Sequence, residues 1–133
     1  MALLTGLPAT MTMKTRQLVP LVSVADVERS ITFYRHLGFE LGNTFAPAGA
    51  TKPAWAWLQS GDAQLMLAAA SKPVIADQQA VLFYVYTEDV TAARASLVEA
   101  GLSPGEITSP FYAPRGEFEL VDPDGYIVMV THT

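Results

Sequence analysis

The chain repeats one sequence pattern at a separation of 63 residues. Asp26-Val27 is matched by Asp89-Val90, and Gly38 is matched by Gly101. Further along, the apolar triplet at residues 65–67 is matched by the triplet at residues 128–130. A single constant offset relates candidate strands and a candidate helix in both halves. A repeat of this length in two copies predicts two supersecondary units of one kind that pack as one domain.

Each half reads as a strand, a helix and three further strands. In both halves an aspartate, Asp26 or Asp89, precedes apolar residues at helical spacing, and a glycine follows them, which is typical of a helix with an N-cap and a left-handed end. The predicted inner helix faces carry Val27, Ile31, Tyr34 and Leu37 in the first half, and Val90, Ala93, Leu97 and Ala100 in the second. Strands are predicted at residues 18–24, 39–45, 55–59 and 63–69, then at 81–87, 103–107 (a weak strand), 117–121 and 126–131.

Length and composition limit the classes of protein to which the chain can belong. We expect one domain over residues 17–133, with repeats at about 17–70 and 80–131, after a flexible leader at residues 1–16. The net charge of −5 and only eight dispersed Lys and Arg residues argue against nucleic acid. No apolar run is long enough to span a membrane. The absence of cysteine excludes disulfides and thiolate chemistry, and it fits a cytoplasmic protein.

Three motifs resemble a known superfamily. They are Val24-Ala-Asp-Val-Glu-Arg-Ser-Ile-Thr-Phe-Tyr34, Leu37-Gly-Phe-Glu40 and Asp122-Pro-Asp-Gly-Tyr126. Together they are similar to motifs of the glyoxalase/bleomycin-resistance/dioxygenase proteins, also called vicinal oxygen chelate proteins, and the resemblance covers about residues 17–131. It implies an α+β fold in which two βαβββ modules form a curled mixed sheet around a cavity. It also implies a homodimer, often with clefts built from both chains.

In metalloenzymes of that superfamily, four positions supply His, Glu or Gln ligands. The resemblance places these positions at Val19 and Leu82 in the first strands of the modules, and at Met66 and Met129 in the last strands. Val and Leu have no donor atom, and a thioether is a soft ligand unsuited to hard divalent ions. We therefore expect no metal site of the usual kind and no cofactor.

Alternation along the strands places the four positions on one side of the sheet, which predicts a ligand-binding surface. We expect its lining to include aromatic rings, which can stack on a ligand, and adaptable thioethers. An apolar core without a pocket is the alternative for the methionines, a subunit interface is the alternative for the tryptophans, and a solvated loop side chain is the alternative for Arg115. The predicted ligand-binding residues are Trp55, Trp57, Gln64, Met66, Tyr84, Tyr86, Phe111, Tyr112, Arg115 and Met129.

The histidines, and the glutamates of the strand predicted at residues 117–121, are weaker candidates for a functional site. His36 lies off the apolar helix stripe and is expected in solvent, while His132 is next to the C-terminus, where fraying is expected. Glu117 and Glu119 alternate with Phe118, and we expect both to face solvent. A glutamate buried in an apolar cleft would instead have a raised pKa and could act as a base.

These features predict a metal-free protein that binds or sequesters a hydrophobic or aromatic small molecule, with no catalytic residue. The acidic balance would also attract a cationic compound. The alternative is a metal-dependent lyase, isomerase or dioxygenase of the same superfamily with a non-standard site. A small dimer with a filled cavity is a third option.

Overall fold

The computed structural model of the protein describes residues 13–133, so most of the predicted leader lies outside the described residues. Two mixed sheets, each with one helix packed on it, confirm the α+β prediction, but the sheets stay separate and do not close around a cavity. The first module contains β1 (Leu21–Val24), α1 (Val27–Arg35), β2 (Glu40–Phe45), β3 (Trp55–Ser60) and β4 (Ala63–Ala69). The second module contains β5 (Leu82–Thr87), α2 (Val90–Glu99), β6 (Glu117–Val121) and β7 (Ile127–His132).

The two sheets share one plan. In the first sheet the strand order is β1-β4-β3-β2, and in the second it is β5-β7-β6. The first and last strands of each module pair in parallel, and the hairpin partners pair antiparallel. The parallel pair is joined through a helix that crosses one side of its sheet. One side of each sheet is therefore covered by a helix, and we call the other side the open face.

Capping and apolar periodicity explain the helices. Asp26 accepts a hydrogen bond from the Arg29 backbone N–H, and Asp89 accepts one from the Ala92 backbone N–H, which satisfies donors that a helix start leaves free. Beneath the helices lie Val22, Val24, Leu58, Leu65, Leu67, Phe118, Leu120, Val128 and Val130, all buried in one continuous core. Ala100, which was predicted on the inner face of α2, is exposed because the helix has already ended at Glu99.

The second module lacks the strand predicted at residues 103–107. The segment does run beside β6, since the Gly105 N–H bonds to the Glu119 carbonyl at 2.8 Å and the Thr108 N–H bonds to the Glu117 carbonyl at 2.9 Å. Between these two bonds the chain advances by three residues in the segment 105–108 but by only two in β6. This extra residue interrupts the ladder, and Pro104 has no N–H to donate. Only the bridge between Thr108 and Glu117 remains of this strand.

The modules are joined by a buried polar contact between α1 and the turn before β7. The Tyr34 hydroxyl donates to Asp122 Oδ2 at 2.8 Å. Asp124 accepts a hydrogen bond from the Ala25 N–H at 2.8 Å and a longer one from the Ser30 hydroxyl at 3.4 Å. The Tyr126 hydroxyl donates back to the carbonyl oxygen of residue 23 at 2.9 Å. The side chains that join the modules thus come from two of the motifs that resemble the superfamily.

Burial governs the ionisation of this contact. It raises the pKa of the Tyr34 hydroxyl, and the charge of Asp122 raises that pKa further. Burial also raises the pKa of Asp122, although the hydrogen bonds from Tyr34 and from the backbone of Tyr126 and Asp124 act in the opposite direction. The contact therefore has the properties of a structural link that holds the modules together.

Candidate functional site

The open face of the first sheet carries both tryptophans of the protein. Leu21, Met66 and Trp57 are neighbours across β1, β4 and β3, so their side chains point to the same side of the sheet. Trp55 lies two residues before Trp57 on that face, and the two indole rings pack edge to face with centroids 6.4 Å apart. Both rings are half-buried, which leaves part of each ring free to contact another molecule.

The open face of the second sheet carries tyrosines. Tyr84, Met129 and Glu119 are neighbours across β5, β7 and β6, and Tyr86 lies two residues along from Tyr84 on the same side. Tyr84 is 48% exposed and Tyr86 is 62% exposed, although the ordinary place for such rings is an interior or an interface. This face is therefore aromatic and accessible in the single chain.

A groove of about 410 Å³ separates the two modules. The Gln64 side chain lies in its wall, and the Gln64 Oε1 atom is buried without a hydrogen-bond donor among the described residues. Such an atom is costly unless a ligand or water supplies the donor. The groove also has apolar and aromatic walls, formed by Pro20, Tyr34, Leu37, Phe39, Leu65, Leu82, Phe83, Tyr84, Val85 and Tyr86.

A second depression, of about 450 Å³, lies between α1 and the edge strand β2. Its walls include Glu28, Thr32, Arg35 and Thr44, which are all exposed. These are the solvated side chains of a helix surface and a sheet edge, and no buried polar atom without a partner faces them among the residues that the structure describes. The groove between the modules is the better candidate, because it joins apolar walls to a convergent polar group.

The loop before β6 carries three predicted site residues, and their side chains lie in different surroundings. Phe111 is 94% exposed and packs edge to face against Tyr112, whose hydroxyl donates to Glu117 Oε2 at 3.1 Å. The Arg115 side chain turns toward the C-terminus, where its guanidinium lies 2.7 Å from His132 Nδ1 and also contacts the Thr133 carbonyl oxygen. Arg115 therefore does not line the groove between the modules.

Three predictions about polar residues have different outcomes. The solvent-facing prediction is wrong for Glu117, which is only 3% exposed, whereas Glu119 is exposed. Glu117 is buried because β6 begins beneath the loop that carries Tyr112, a tertiary effect that strand alternation does not encode. His132 is not frayed but is the last residue of β7, paired with Thr87. His36 is exposed, as predicted.

The four positions that would hold a metal in the superfamily's enzymes have no suitable donor atoms. Met66 and Met129 are half-buried on the open faces, Leu82 is 52% exposed, and Val19 precedes β1. Within residues 13–133, no three His, Cys, Asp or Glu side chains lie close enough together to share a metal ion. The side chains present therefore do not fit the hard divalent ions of those enzymes.

The structure divides the predicted site residues among four places, one of which is the loop before β6 with Phe111, Tyr112 and Arg115. Gln64, Tyr84 and Tyr86 meet at the groove between the modules. Trp55, Trp57 and Met66 share the open face of the first sheet, and Met129 lies beside Tyr84 on the second. Glu117 was weighed as a base but expected in solvent, and its place opposite Thr131 follows from strand register, which the sequence does not show. Within the described residues, no helix is long and apolar enough to cross a membrane.

Comparison with known proteins agrees with this architecture. The family model described as Glyoxalase/Bleomycin resistance protein/Dioxygenase superfamily matches residues 16–130. No curated protein matches the chain significantly in sequence.

Several solved structures share the fold. A bleomycin resistance determinant encoded on the transposon Tn5 superposes with a TM-score of 0.71 at 20% identity, covering 90% of this chain and 98% of that one. A bleomycin-binding protein complexed with bleomycin gives 0.69 at 21% identity, with 90% and 99% covered. TnmS3, an antibiotic binding protein from Streptomyces sp. CB03234, gives 0.70 at 23% identity, with 91% and 98% covered.

Proposed function

Because the chain belongs to the glyoxalase/bleomycin resistance protein/dioxygenase superfamily, we propose that it binds a small aromatic molecule and sequesters it without breaking a bond. The observation that carries this proposal is the pair of open faces with their accessible rings: Trp55 and Trp57 lie on the first face, and Tyr84 and Tyr86 lie on the second, where they also line the groove of about 410 Å³. Rings held on rigid strands stack on a flat ligand at little cost in conformational entropy. Solved relatives of this fold include bleomycin-binding proteins, which supports a ligand of the antibiotic class.

The lining of the open faces favours binding over catalysis. Met66 and Met129 adapt their shape to a ligand but neither donate nor accept a proton, and the standard metal positions carry no oxygen or nitrogen donor. The Gln64 carbonyl oxygen is placed to accept one hydrogen bond from a ligand N–H or O–H group. A cytoplasmic location, as suggested by the lack of cysteine, is part of the proposal.

Intrinsic fluorescence tests this proposal directly, because Trp55 and Trp57 are the protein's only tryptophans and both lie on the open face. We expect at least one compound in a panel of heteroaromatic antibiotics, bleomycin included, to quench or shift the emission. At about 100 times its dissociation constant such a ligand would stabilise the fold by about 2.7 kcal/mol. Trp57→Leu, with Trp55 kept as reporter, is expected to weaken binding about tenfold.

Leu41→Ala is the matched control for that substitution. Leu41 lies opposite Leu58 in the β2–β3 ladder, so its side chain is on the helix side of the sheet, beside the depression between α1 and β2. Binding to the open face is expected to be unchanged in this variant. If no compound perturbs the emission or raises the melting temperature, or if Leu41→Ala weakens binding as much as Trp57→Leu, the proposed site is wrong.

The same faces support a homodimer. Leu21, Leu82 and Phe45 are all more than half exposed in the single chain, and an apolar surface of this kind is usually covered by another molecule. We expect a second copy to cover the open faces and to complete the binding cleft. Sedimentation equilibrium at micromolar concentration is expected to give twice the 14.3 kDa mass of the chain. A monomer at all concentrations would contradict this part of the proposal.

A further inference from the structure

Glu117 is a buried carboxylate on the open face of the second sheet. It is the first residue of β6 and lies opposite Thr131 in β7, which in turn lies opposite Tyr86 in β5. Partners across a ladder point to the same side, so the three side chains form one row. Tyr86 at one end of the row is 62% exposed, whereas Glu117 at the other end is 3% exposed.

Only one of the two carboxylate oxygens has a partner. Oε2 accepts the hydrogen bond from the Tyr112 hydroxyl, while Oε1 is buried and accepts none from any group in residues 13–133. The ion pairs formed within those residues are Arg29–Asp124 and Arg94–Glu106, so neither involves Glu117. The nearby Arg115 points instead to His132 and the chain end. A buried carboxylate without a cation is expensive, so the site lacks a positively charged donor.

The surroundings of Glu117 suit such a donor. The pKa of the Tyr112 hydroxyl is raised, first by its hydrogen bond to Glu117 and then by the Glu117 charge. Tyr84 and Tyr86 project from β5 on the same face as Glu117. The faces of aromatic rings attract cations, and the net charge of −5 adds a long-range attraction.

We propose that Glu117 anchors a protonated amine of the ligand, with Tyr84, Tyr86 and Tyr112 around the ammonium group. The inference rests on the proposed function and narrows its ligand class to aromatic amines. An ammonium N–H donates to Oε1, which completes the hydrogen bonding of the carboxylate, while Tyr112 continues to bond Oε2. Because Oε1 is covered in the free chain, the groups that cover it must shift to admit the amine.

A matched pair of small probes tests the anchor. 2-Phenylethylamine and 2-phenylethanol have nearly the same size, and only the amine is charged at pH 7. We expect the wild-type protein to bind the amine about tenfold more tightly than the alcohol in calorimetric titrations, as a charge-assisted hydrogen bond provides. Glu117→Gln should reduce that preference to about twofold or less.

Glu119→Gln is the matched control, because it removes the same charge from the same strand and the same face at an exposed position. The preference for the amine is expected to persist in this variant. An equal loss in both variants would show a general effect of charge and would overturn the anchor. A measurement on the wild-type protein avoids any folding defect: the Glu117 side-chain ¹³C carboxyl resonance should shift with the amine and not with the alcohol, and an unmoved resonance would also overturn it.

The remaining outcomes separate this inference from the proposed function. If aromatic compounds perturb the tryptophan emission but the amine has no advantage over the alcohol, the anchor is wrong and aromatic binding stands. If neither probe binds and no compound in the panel perturbs the emission, both fail. If Glu117→Gln weakens self-association in sedimentation and leaves amine binding unchanged, a basic group of a second copy pairs with Glu117, and the inference is wrong.

Discussion

Gly125→Ala is expected to lower the free energy of unfolding by about 2–4 kcal/mol, through backbone strain and steric overlap together. Gly125 has φ +91°, where a side chain is strained. A Cβ atom built on Gly125 would also lie 2.7 Å from the Ala76 Cα atom, in the connection between the modules. Since that neighbour is backbone, the turn or the connection would have to move. Denaturant unfolding monitored by circular dichroism measures the loss.

Gly101→Ala provides the control for strain alone. Gly101 has φ +89° at the end of α2, and a Cβ atom there would meet nothing within 4 Å. We expect Gly101→Ala to cost about 1 kcal/mol, because strain is partly offset by the lower entropy of the unfolded chain. The difference between the variants isolates the overlap with Ala76. Equal losses would show that the turn does not press against the connection, and Gly125→Ala/Ala76→Gly should recover part of the loss.

Local signals in the sequence predicted the helices and hairpins well. Asp26 and Asp89 cap their helices as predicted, and Gly38 and Gly101 adopt positive φ at the ends. These features depend on neighbours within one turn, which the sequence displays directly. The strand predicted at residues 103–107 failed because pairing with β6 depends on register over a long separation. One extra residue between Gly105 and Thr108 was enough to interrupt it.

The internal repeat predicted equivalent positions but not how the modules meet. Ser30 and Tyr34 of α1 bond the aspartates of the second module, yet their repeat equivalents in α2 are Ala93 and Leu97. Hydroxyl groups of α1 therefore bond the second module, whereas α2 has no hydroxyl group at the equivalent positions to bond the first. Two motifs that resemble the superfamily, read separately in the sequence, turn out to be the two sides of this contact.

The candidate site was predictable to the level of sheet faces. Alternation assigned Tyr84 to the side away from the helices and put Trp55 and Trp57 on one shared face, because strand periodicity is strict. It did not assign Glu117, whose burial depends on the path of a loop with no periodicity of its own. Nor did it reveal that Arg115 turns away, since a long side chain on a loop follows whichever acceptors the fold brings near.

Asp122→Ala is expected to have the largest effect of the substitutions considered, a loss of about 3–5 kcal/mol in unfolding free energy. Asp122 is 4% exposed and accepts three hydrogen bonds, from the Tyr34 hydroxyl and from the backbone N–H groups of Asp124 and Tyr126. Alanine would leave all three donors buried without an acceptor, at about 1–3 kcal/mol each, partly recovered by water entry. Asp62→Ala, in the exposed hairpin turn of the other module, is the control and should cost little.

Asp122→Asn separates the hydrogen bonds from the charge. Its amide oxygen can still accept from the two backbone N–H groups, so the turn is kept, and we expect it to be more stable than Asp122→Ala. The pKa of Asp122 is raised in the fold, chiefly by burial, so the folded state binds its proton more tightly than the unfolded chain does. The protonated form therefore favours folding below the unfolded pKa of about 3.9, and this contribution is lost as the pH rises through the folded pKa.

The unfolding free energy of wild type minus that of Asp122→Asn should consequently be greater at pH 4 than at pH 7. This change with pH is expected whichever of the two proteins is the more stable. Denaturant unfolding of both across that range measures the difference, and Asp62→Asn controls for loss of an exposed carboxylate. A difference that is constant with pH would show that folding leaves the pKa of Asp122 unchanged, and one that grows toward pH 7 would show that Asp122 is stabilised in its charged form. The hydrogen bonds from Tyr34, Asp124 and Tyr126 would then outweigh burial, and the link between the modules would be ionic in character.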